Sequence, residues 1–388
     1  MLNWGGIDID HFLKEYWQKK PLLIRNAFPG FESPIDPDDL AGLACEENVE
    51  SRIVVEQFQG KPWQVQYGPF DDETFQNLPN DSPWTLLVQG LDYWVPAVSD
   101  LLEHFRFIPN WRIDDIMASY AVPGGSVGPH FDYYDVFLLQ AQGRRNWKVG
   151  PICTGREPRL EGTPLRILED FQTTEEWVLE PGDMLYLPPQ YAHYGVAVDE
   201  CITLSIGFRS PTHQEILSSW TDYIYGQIVD EIHLDDPHLQ RQDNPGEIKP
   251  EVFQQVQDII LSYAQQKDRL IDWFGRYTTQ AKHDGIVEPP EPQLTAAETK
   301  DLLAAGIPLR RNEGSRFSYT WMGDGLRFFV DGHSVQLQGP SATVAQALCQ
   351  HNEFEPSKVQ SWLADAECEN LLLALLNQGS LYLEEDEE

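Results

Sequence analysis

The chain has 388 residues, 41% of them hydrophobic and 12 of them tryptophan, so it is long enough for two or three folded domains. Its formal net charge of -35 disfavours binding to nucleic acid or to anionic membranes and favours a basic partner. Five cysteines without a CxxC motif do not indicate a disulfide framework, and the acidic N-terminal stretch lacks the apolar core of a signal peptide. No apolar run is long enough to cross a membrane, so we expect a cytoplasmic protein.

Residues 1–211 are predicted to form one domain that is rich in β-strands. Residues 8–28 indicate a short helix followed by a strand. Short apolar runs then alternate with turns that contain glycine or proline, as in a β-sandwich or barrel. The runs are WTLLVQGL, MASYAV, DVFLLQAQG, NWKVG, DMLYLP and CITLSIGF, and one of the predicted turns is QGKPW at residues 59–63.

The pattern changes after residue 211, and we assign a helical segment to residues 212–287. Residues 213–232 and 249–282 carry apolar side chains at helical spacing, so each stretch predicts one long helix. Apolar residues that include Val256 and Ile260 share one stripe of the second helix. Such helices between domains indicate either a dimerisation element or packing within the chain, and both alternatives stay open.

Residues 288–388 are predicted to form a third unit, which the proline-rich stretch HDGIVEPPEPQLT introduces. A helix capped by Thr295, with Glu298 at capping-box spacing, is followed by a hairpin in residues 317–339, two more helices and an acidic tail. This layout is typical of a winged-helix-like module. From residue 290 onward there are 16 acidic and six basic residues, so we expect a structural or protein-contact unit and no direct binding of nucleic acid.

The stretch GPHFDYYDVFLLQ places His130 and Asp132 two positions apart at the predicted start of a strand. Side chains at this spacing in a strand lie on the same face, so both can point into one cavity. His193 follows after a turn, a strand and a second turn, in LEPGDMLYLPPQYAH. This spacing is typical of the 2-His-1-carboxylate set in a double-stranded β-helix, which indicates a non-haem Fe(II) oxygenase. The alternatives are a turn pair without further function, a zinc site, or a barrel that has lost its metal.

Longer motifs around these residues resemble a known family. SVGPHFDYYDVFLLQAQGRRNWKVG and LEPGDMLYLPPQYAHYGVAVDECITLSIGFRSP are similar to the JmjC-type 2-oxoglutarate oxygenases, in particular to the bacterial ribosomal oxygenases. The opening FLKEYWQKKPLLIRNAF is similar as well, and the resemblance covers nearly the whole chain. It implies a mainly β fold with α-helices: a cupin-like or JmjC double-stranded β-helix, a helical dimerisation segment and a winged-helix-like C-terminal domain.

The resemblance also implies an activity. Members of this group use Fe(II) and 2-oxoglutarate to hydroxylate the β-carbon of an arginine in the sixteenth large-subunit ribosomal protein. We therefore expect His130, Asp132 and His193 to bind iron, a basic ribosomal protein to be the substrate, and the protein to be a homodimer.

The cosubstrate requires a cation for its distal carboxylate, and the guanidinium of arginine can bind a carboxylate through two nitrogens. Of Arg144 and Arg145 in QGRRNWK, only one can face the inside of a barrel, and the family motif implies Arg145. Ser119 matches a family position that contacts the cosubstrate. Thr203 and Ser205 share a polar face of one strand and are weaker candidates.

An arginine substrate requires carboxylates that pair with its guanidinium and aromatic rings on which it stacks. Tyr133, Tyr134 and Asp135 follow the metal motif directly, and Asp114 and Asp115 lie on a predicted neighbouring strand. We expect one aspartate and one tyrosine from this set to hold the substrate. The alternative is that these side chains are solvated at the edge of the sheet.

Two other functions stay open at this point. One is a related oxygenase that hydroxylates a histidine, demethylates a lysine or acts on a small molecule. The other is a metal-binding scaffold without turnover, against which the complete ligand set and Arg145 argue. Succinate formation distinguishes an oxygenase from a scaffold.

Overall fold

The structure is a computed structural model, and it describes residues 2–56, 62–282 and 285–384. Most of the predicted turn at 59–63, the first two residues of the predicted proline-rich stretch and the end of the predicted acidic tail lie outside the described residues. None of the helices in the described ranges combines the length and the apolar character that a membrane span requires.

Short strands dominate the N-terminal part, and helices become frequent after residue 211. The β-strands are β1 (Leu22–Ile24), β2 (Ser51–Val55), β3 (Gln64–Tyr67), β4 (Trp84–Val88), β5 (Ile113–Ala121), β6 (Asp135–Gln142), β7 (Arg145–Ile152), β8 (Glu175–Leu179), β9 (Met184–Leu187), β10 (Tyr191–Ala197), β11 (Cys201–Phe208), β12 (Leu309–Arg311), β13 (Phe317–Met322), β14 (Gly325–Val330), β15 (His333–Leu337), β16 (Glu353–Phe354) and β17 (Leu381–Leu383). The α-helices are α1 (Ile9–Glu15), α2 (Pro37–Leu43), α3 (Asp72–Gln76), α4 (Pro96–Ser99), α5 (His213–Gln227), α6 (Pro250–Ala264), α7 (Lys267–Thr279), α8 (Ala296–Ala304), α9 (Gly339–Gln350), α10 (Pro356–Trp362) and α11 (Ala366–Gln378).

Two antiparallel sheets form the N-terminal barrel. The larger has the strand order β1-β9-β6-β11-β5-β4-β2-β3, and the smaller has the order β10-β7-β8. Val136 and Leu138 of β6 pack together with Trp147 and Val149 of β7 in one apolar cluster, so the facing sides of the two sheets share a core. This arrangement confirms the predicted double-stranded β-helix.

A second core covers the outer face of the larger sheet. Phe12 of α1 packs there against Phe137 and Tyr186, with ring centroids 5.6 and 5.0 Å apart. Since β6 is covered on both faces, seven of its eight residues are buried, which explains why it reads as an unbroken apolar run. On β11, Ile202 and Leu204 belong to this outer core, and the intervening polar residues face the barrel interior.

The helical segment is shorter and more broken than the sequence predicts. The helix predicted over 213–232 ends at Gln227, and the one predicted over 249–282 is divided into α6 and α7 at residues 265–266. The break has a packing reason. Gly275 of α7 lies against the ring of Phe329, so closely that a Cβ atom would come within 2.3 Å of it, which fixes α7 on the C-terminal sheet. Against the rest of the described chain, no side chain of α6 is buried.

The C-terminal unit has the predicted winged-helix-like layout. Thr295 caps α8 through the backbone nitrogen of Glu298, and the glutamate side chain accepts in return, as the capping-box spacing predicts. The predicted hairpin contains the three strands β13–β15, and three helices follow where two are predicted, because the seven-residue α10 forms a separate turn that begins at Pro356. The predicted boundaries at residues 211 and 287 stay predictions.

Candidate active site

His130, Asp132 and His193 meet at one end of the barrel, where one ligand atom from each lies within 4.8 Å of the others. The Nε2 atoms of both histidines are 3.6 Å from Oδ2 of Asp132. His193 belongs to β10, and His130 pairs with it in a single antiparallel bridge of two backbone hydrogen bonds of 3.0 and 2.8 Å. The predicted pair thus precedes β6 instead of opening it, and this bridge orients His130.

Backbone carbonyl groups fix the tautomer of both rings. The Nδ1 atom of His130 is 2.9 Å from the carbonyl oxygen of Gly128, and that of His193 is 2.9 Å from the carbonyl oxygen of Tyr191. A carbonyl only accepts, so each Nδ1 carries the proton and each Nε2 keeps a lone pair that faces Asp132. Burial, helped by the neighbouring His130, lowers the pKa of His193 to about 4, so its imidazole is neutral and able to bind a metal.

Arg145, the first residue of β7, is 3% exposed and has donors without a partner among the described residues. Its Nη1 atom donates to Oγ of Ser119 at 3.4 Å, but Nε and Nη2 have no partner among the residues that the structure describes. A buried, uncompensated charge costs several kcal/mol, so this guanidinium calls for an anion. Arg144 pairs with Asp199 at 2.8 Å on the outside of the barrel, where it is predicted to lie.

Trp147 connects Arg145 with the histidine ligands and is a residue that the sequence analysis missed. The guanidinium carbon of Arg145 lies 5.7 Å from the indole centroid, which is itself 6.0 Å from the centroid of His193. Gly195 lies opposite Trp147 in β10, and a Cβ there would come within 2.7 Å of the ring. The indole nitrogen is buried and, within the described ranges, has no acceptor. Trp147 thus lies beside His193, and Arg145 and Trp147 both present donors that have no partner among the described residues.

A row of polar side chains crosses the interior of the larger sheet next to Arg145. Ser119 of β5 lies opposite Thr203 of β11, which lies opposite Gln140 of β6. The Thr203 hydroxyl donates to Oε1 of Gln140 at 3.1 Å, so it is already engaged within the row. Ser205 continues the same face of β11, opposite Met117 and Leu138 and beyond the row. Gln140 was missed, although a glutamine inside the run DVFLLQAQ is a visible signal.

Two of the substrate candidates, Asp115 and Tyr134, lie near each other, and Tyr134 contacts Asp132. Asp115 is four residues before Ser119 on β5 and shares its face, and its buried carboxylate accepts from Nε2 of Gln89 at 2.7 Å. The Tyr134 hydroxyl donates to the carboxylate of Asp132, and the charge of Asp115 acts on it as well. Burial raises the pKa of both groups. Gln89, which the sequence analysis did not select, positions Asp115.

The other three substrate candidates lie elsewhere. Asp114 is on the opposite face of β5, in an ion pair with Lys282. Asp135 is fully buried towards the outer core, where its carboxylate accepts from Gln18, Arg112 and Tyr186 at 2.9, 3.0 and 2.6 Å. Tyr133 is 55% exposed and packs edge-on against Phe131. The geometry therefore favours Asp115 and Tyr134 within the predicted set.

Comparisons with known proteins cover nearly the whole chain. The family model for the JmjC domain matches residues 100–216, and the model for a ROXA-like winged helix matches residues 262–382. The chain is 35% identical to the ribosomal protein uL16 3-hydroxylase of Escherichia coli (strain K12), over 99% of this chain and 98% of the relative. It is 39% identical to a probable ribosomal oxygenase of Haemophilus influenzae, over 64% of this chain and 62% of the relative.

Solved structures of a ribosomal oxygenase are also similar to this chain over nearly its full length. The structure of YcfD, a ribosomal oxygenase from Escherichia coli, in complex with cobalt and 2-oxoglutarate has a TM-score of 0.85 at 34% identity, covering 98% of this chain and 99% of that one. The YcfD complex with cobalt and succinic acid has a TM-score of 0.84 at 34% identity, with the same coverage.

Proposed function

The chain belongs to the JmjC-type ribosomal oxygenases, and from this membership we propose that it hydroxylates the β-carbon (C-3) of an arginine in the ribosomal protein uL16. Membership confirms the predicted class of enzyme, an oxygenase that depends on iron(II) and 2-oxoglutarate. The observation that carries the proposal is the position of the unused donors of Arg145 and Trp147 beside a three-ligand set.

The donor set fits iron(II). His130 and His193 would bind it through Nε2, and Asp132 would bind it through Oδ2. A structural zinc site is typically closed by four ligands, often cysteines, whereas three ligands on one side leave room for a cosubstrate and for dioxygen. When bound, iron and 2-oxoglutarate would activate dioxygen, so that one of its oxygen atoms is inserted into a substrate C–H bond and the other enters succinate as 2-oxoglutarate loses CO2.

The chain's own residues position the reactants. Arg145 would bind the distal carboxylate of 2-oxoglutarate with Nε and Nη2, and Ser119 fixes the guanidinium from the other side. The Trp147 ring lies near both the Arg145 guanidinium and the His193 ring, where its bulk would limit the access of water to the reacting groups. The Thr203 hydroxyl is engaged with Gln140 of β6, so it would contribute to the cosubstrate pocket only by lining its wall, and Ser205 would line the interior beyond it.

Asp115 and Tyr134 would hold the substrate arginine next to the metal. A carboxylate binds a guanidinium through charge-assisted hydrogen bonds, and a tyrosine ring offers a face on which it stacks. Orientation of one carbon atom towards the metal is the main contribution that such a pocket makes to catalysis. The net charge of -35 fits a basic partner, and a ribosomal substrate would place the reaction in the cytoplasm.

The test is reconstitution of the protein with Fe(II) under anaerobic conditions, followed by addition of oxygen, 2-oxoglutarate and purified ribosomal proteins. Intact mass spectrometry should show a gain of one oxygen atom on uL16, at an arginine on fragmentation, and no gain with the His130→Ala variant. Succinate release without modification of any ribosomal protein would retain the oxygenase and reject the target. Absence of both signals would favour a scaffold.

We also propose that the helical segment forms a homodimer. Along α6, Phe253 and Ile260 are 62 and 63% exposed, and Val252, Val256 and Ile259 lie beside them on the same side of the helix. A continuous apolar face of five side chains on the surface of a folded protein marks an interaction site. A second copy of the same helix would cover it with an identical apolar face.

A further inference from the structure

Arg316 of the C-terminal unit reaches into the catalytic barrel at the start of β5. Its Nη1 atom donates to the carbonyl oxygen of Ile113 at 2.7 Å, and its Nη2 atom donates to that of Asp114 at 2.5 Å. Nη2 also lies 3.2 Å from the hydroxyl oxygen of Tyr93. One guanidinium thus bonds two successive carbonyls of the strand that carries Asp115 and Ser119.

The C-terminal unit fixes the base of this arginine. The backbone nitrogen of Arg316 donates to Oδ1 of Asp331 at 2.8 Å. The other oxygen of Asp331 accepts from the hydroxyls of Ser315 and Ser380, at 2.9 and 2.7 Å. Because Ser380 directly precedes β17, this network ties Arg316 to the last strand of the unit.

Residues of the barrel contact the same part of β5 beside Arg316. The Tyr93 hydroxyl donates to the carbonyl oxygen of Asp114 at 3.1 Å, and Oδ1 of Asp92 accepts from the nitrogen of Ile116 at 2.6 Å. Asp115 lies between these contacts, and Gln89 donates to its carboxylate. The position of the Asp115 carboxylate therefore depends on contacts from residues 89–93 and from Arg316.

Arg316 also places a positive charge near two buried carboxylates. Asp92 and Asp115 are 2 and 7% exposed and repel each other, and the Arg316 guanidinium acts on both carboxylates in the opposite direction. Lys282 donates to the carbonyl oxygen of Asp114 at 2.8 Å, but burial and the neighbouring Arg316 charge lower its pKa to about 6, so it adds little positive charge at neutral pH. Arg316 is thus the main cationic support beneath this buried acidic pair.

We propose that Arg316 is a positioning residue for substrate binding, through which the C-terminal unit holds the Asp115 carboxylate in place for the guanidinium of the substrate. This inference rests on the proposed function. It gives the winged-helix-like unit a part in the reaction that does not involve nucleic acid, although it contributes none of the metal ligands.

The experiment uses the full chain with Arg316→Gln. Removal of hydrogen bonds from a charged donor should raise the KM for uL16, and its Kd measured without oxygen, on the order of ten-fold. The KM for 2-oxoglutarate should stay near the wild-type value, because Arg145 and Ser119 lie further along the barrel. Arg316→Lys should restore part of the loss. The matched control is Arg327→Gln in the same unit, because Arg327 contacts Asp268 and Asp272 of α7 and not the barrel; its KM and Kd should not change.

Thermal unfolding separates a local effect from a global one. If Arg316→Gln unfolds at a much lower temperature, the Tyr93→Phe variant replaces it as the test. Tyr93→Phe removes one donor to the same Asp114 carbonyl and leaves the C-terminal unit attached to the barrel. The KM for uL16 should then rise several-fold. Unchanged KM and Kd in either folded variant overturn the inference alone. A wild-type protein that neither binds nor hydroxylates uL16 overturns the proposed function, and the inference with it.

Discussion

The Ser119 hydroxyl and the Arg145 guanidinium lie 3.4 Å apart and join the two sheets of the barrel across its interior. Ser119 is on β5 of the larger sheet, and Arg145 opens β7 of the smaller one. The contact is long for a hydrogen bond, so it orients the guanidinium without satisfying it. Two further nitrogen atoms of Arg145 therefore stay available for a ligand carboxylate.

Replacement of Arg145 should act on the cosubstrate. Arg145→Gln removes the charge-assisted bonds to the distal carboxylate, so the KM for 2-oxoglutarate should rise by about 10- to 100-fold. Arg145→Lys should recover little, since an ammonium group cannot reproduce the two-nitrogen contact. Arg144→Gln is the matched control, because it removes a neighbouring charge that pairs with Asp199 outside the barrel. An unchanged KM for 2-oxoglutarate in Arg145→Gln would reject this role.

Removal of a proposed metal ligand should strongly weaken metal binding. Asp132→Ala should weaken Co(II) binding, followed by its visible absorption or by calorimetry, by more than about 100-fold, since loss of even supporting contacts costs 10- to 100-fold. His333→Ala should bind Co(II) normally, because His333 is exposed at the start of β15 and belongs to no ligand cluster of the described chain. Normal Co(II) affinity in Asp132→Ala would mean that the metal lies elsewhere.

The three candidate metal ligands could be predicted because their spacing reflects the path of the chain around a barrel. His130, Asp132 and His193 meet as expected, and strand alternation separates Arg144 from Arg145. The alternation of side chains along a strand could also have distinguished Asp115 from Asp114. Residues 115 and 119 are four positions apart, so their side chains lie on the same face of the strand. Asp135 follows the metal motif closely in sequence, yet alternation sends its side chain to the outer core.

Contacts between distant parts of the chain leave no such signal. Arg316 meets the carbonyl of Ile113 across 203 positions of sequence, and nothing in the local pattern of either segment indicates the pairing. The division of the predicted helix at residues 265–266 likewise depends on packing of α7 against Phe329. Periodicity reports which face of a helix is apolar but not what covers it.

Asp115 and Asp114 provide a matched test of the substrate pocket. Asp115→Asn should raise the KM for uL16 by at least about ten-fold, because a neutral amide loses the charge-assisted bonds to an arginine. Asp114→Asn changes the same charge one position away, on the opposite face of β5, and should leave that KM nearly unchanged. Steady-state kinetics at saturating 2-oxoglutarate measure both. The reverse order of the two effects would contradict the assignment of faces.

The oligomeric state should depend on the apolar face of α6. Ile260→Asp places a charge in the middle of that face, so sedimentation at micromolar concentration should show a shift from dimer to monomer. Gln254→Asp, on the opposite side of the same helix, introduces the same charge and should leave the dimer intact. A wild-type protein that sediments as a monomer would contradict the homodimer.

Stability should fall as the pH rises, because of Asp92. Burial, and then repulsion from Asp115, raise the pKa of Asp92 to about 7, against the opposing effect of Arg316. The unfolded chain releases this proton near the ordinary aspartate pKa of about 4, so between about pH 4 and pH 7 the folded state binds more protons than the unfolded state. In this window Asp92 should reduce the free energy of unfolding by up to about 1.4 kcal/mol for each pH unit.

Asp92→Asn removes this titration, and its Oδ1 atom can still accept from the nitrogen of Ile116. Chemical denaturation of the metal-free protein at pH 5 and pH 7.5 should therefore show a smaller loss of stability in Asp92→Asn than in the wild type. Asp92 lies away from the metal ligands, so the comparison does not depend on metal occupancy. An equal pH dependence in both proteins would mean that Asp92 is ionised throughout, with Arg316 compensating its burial completely.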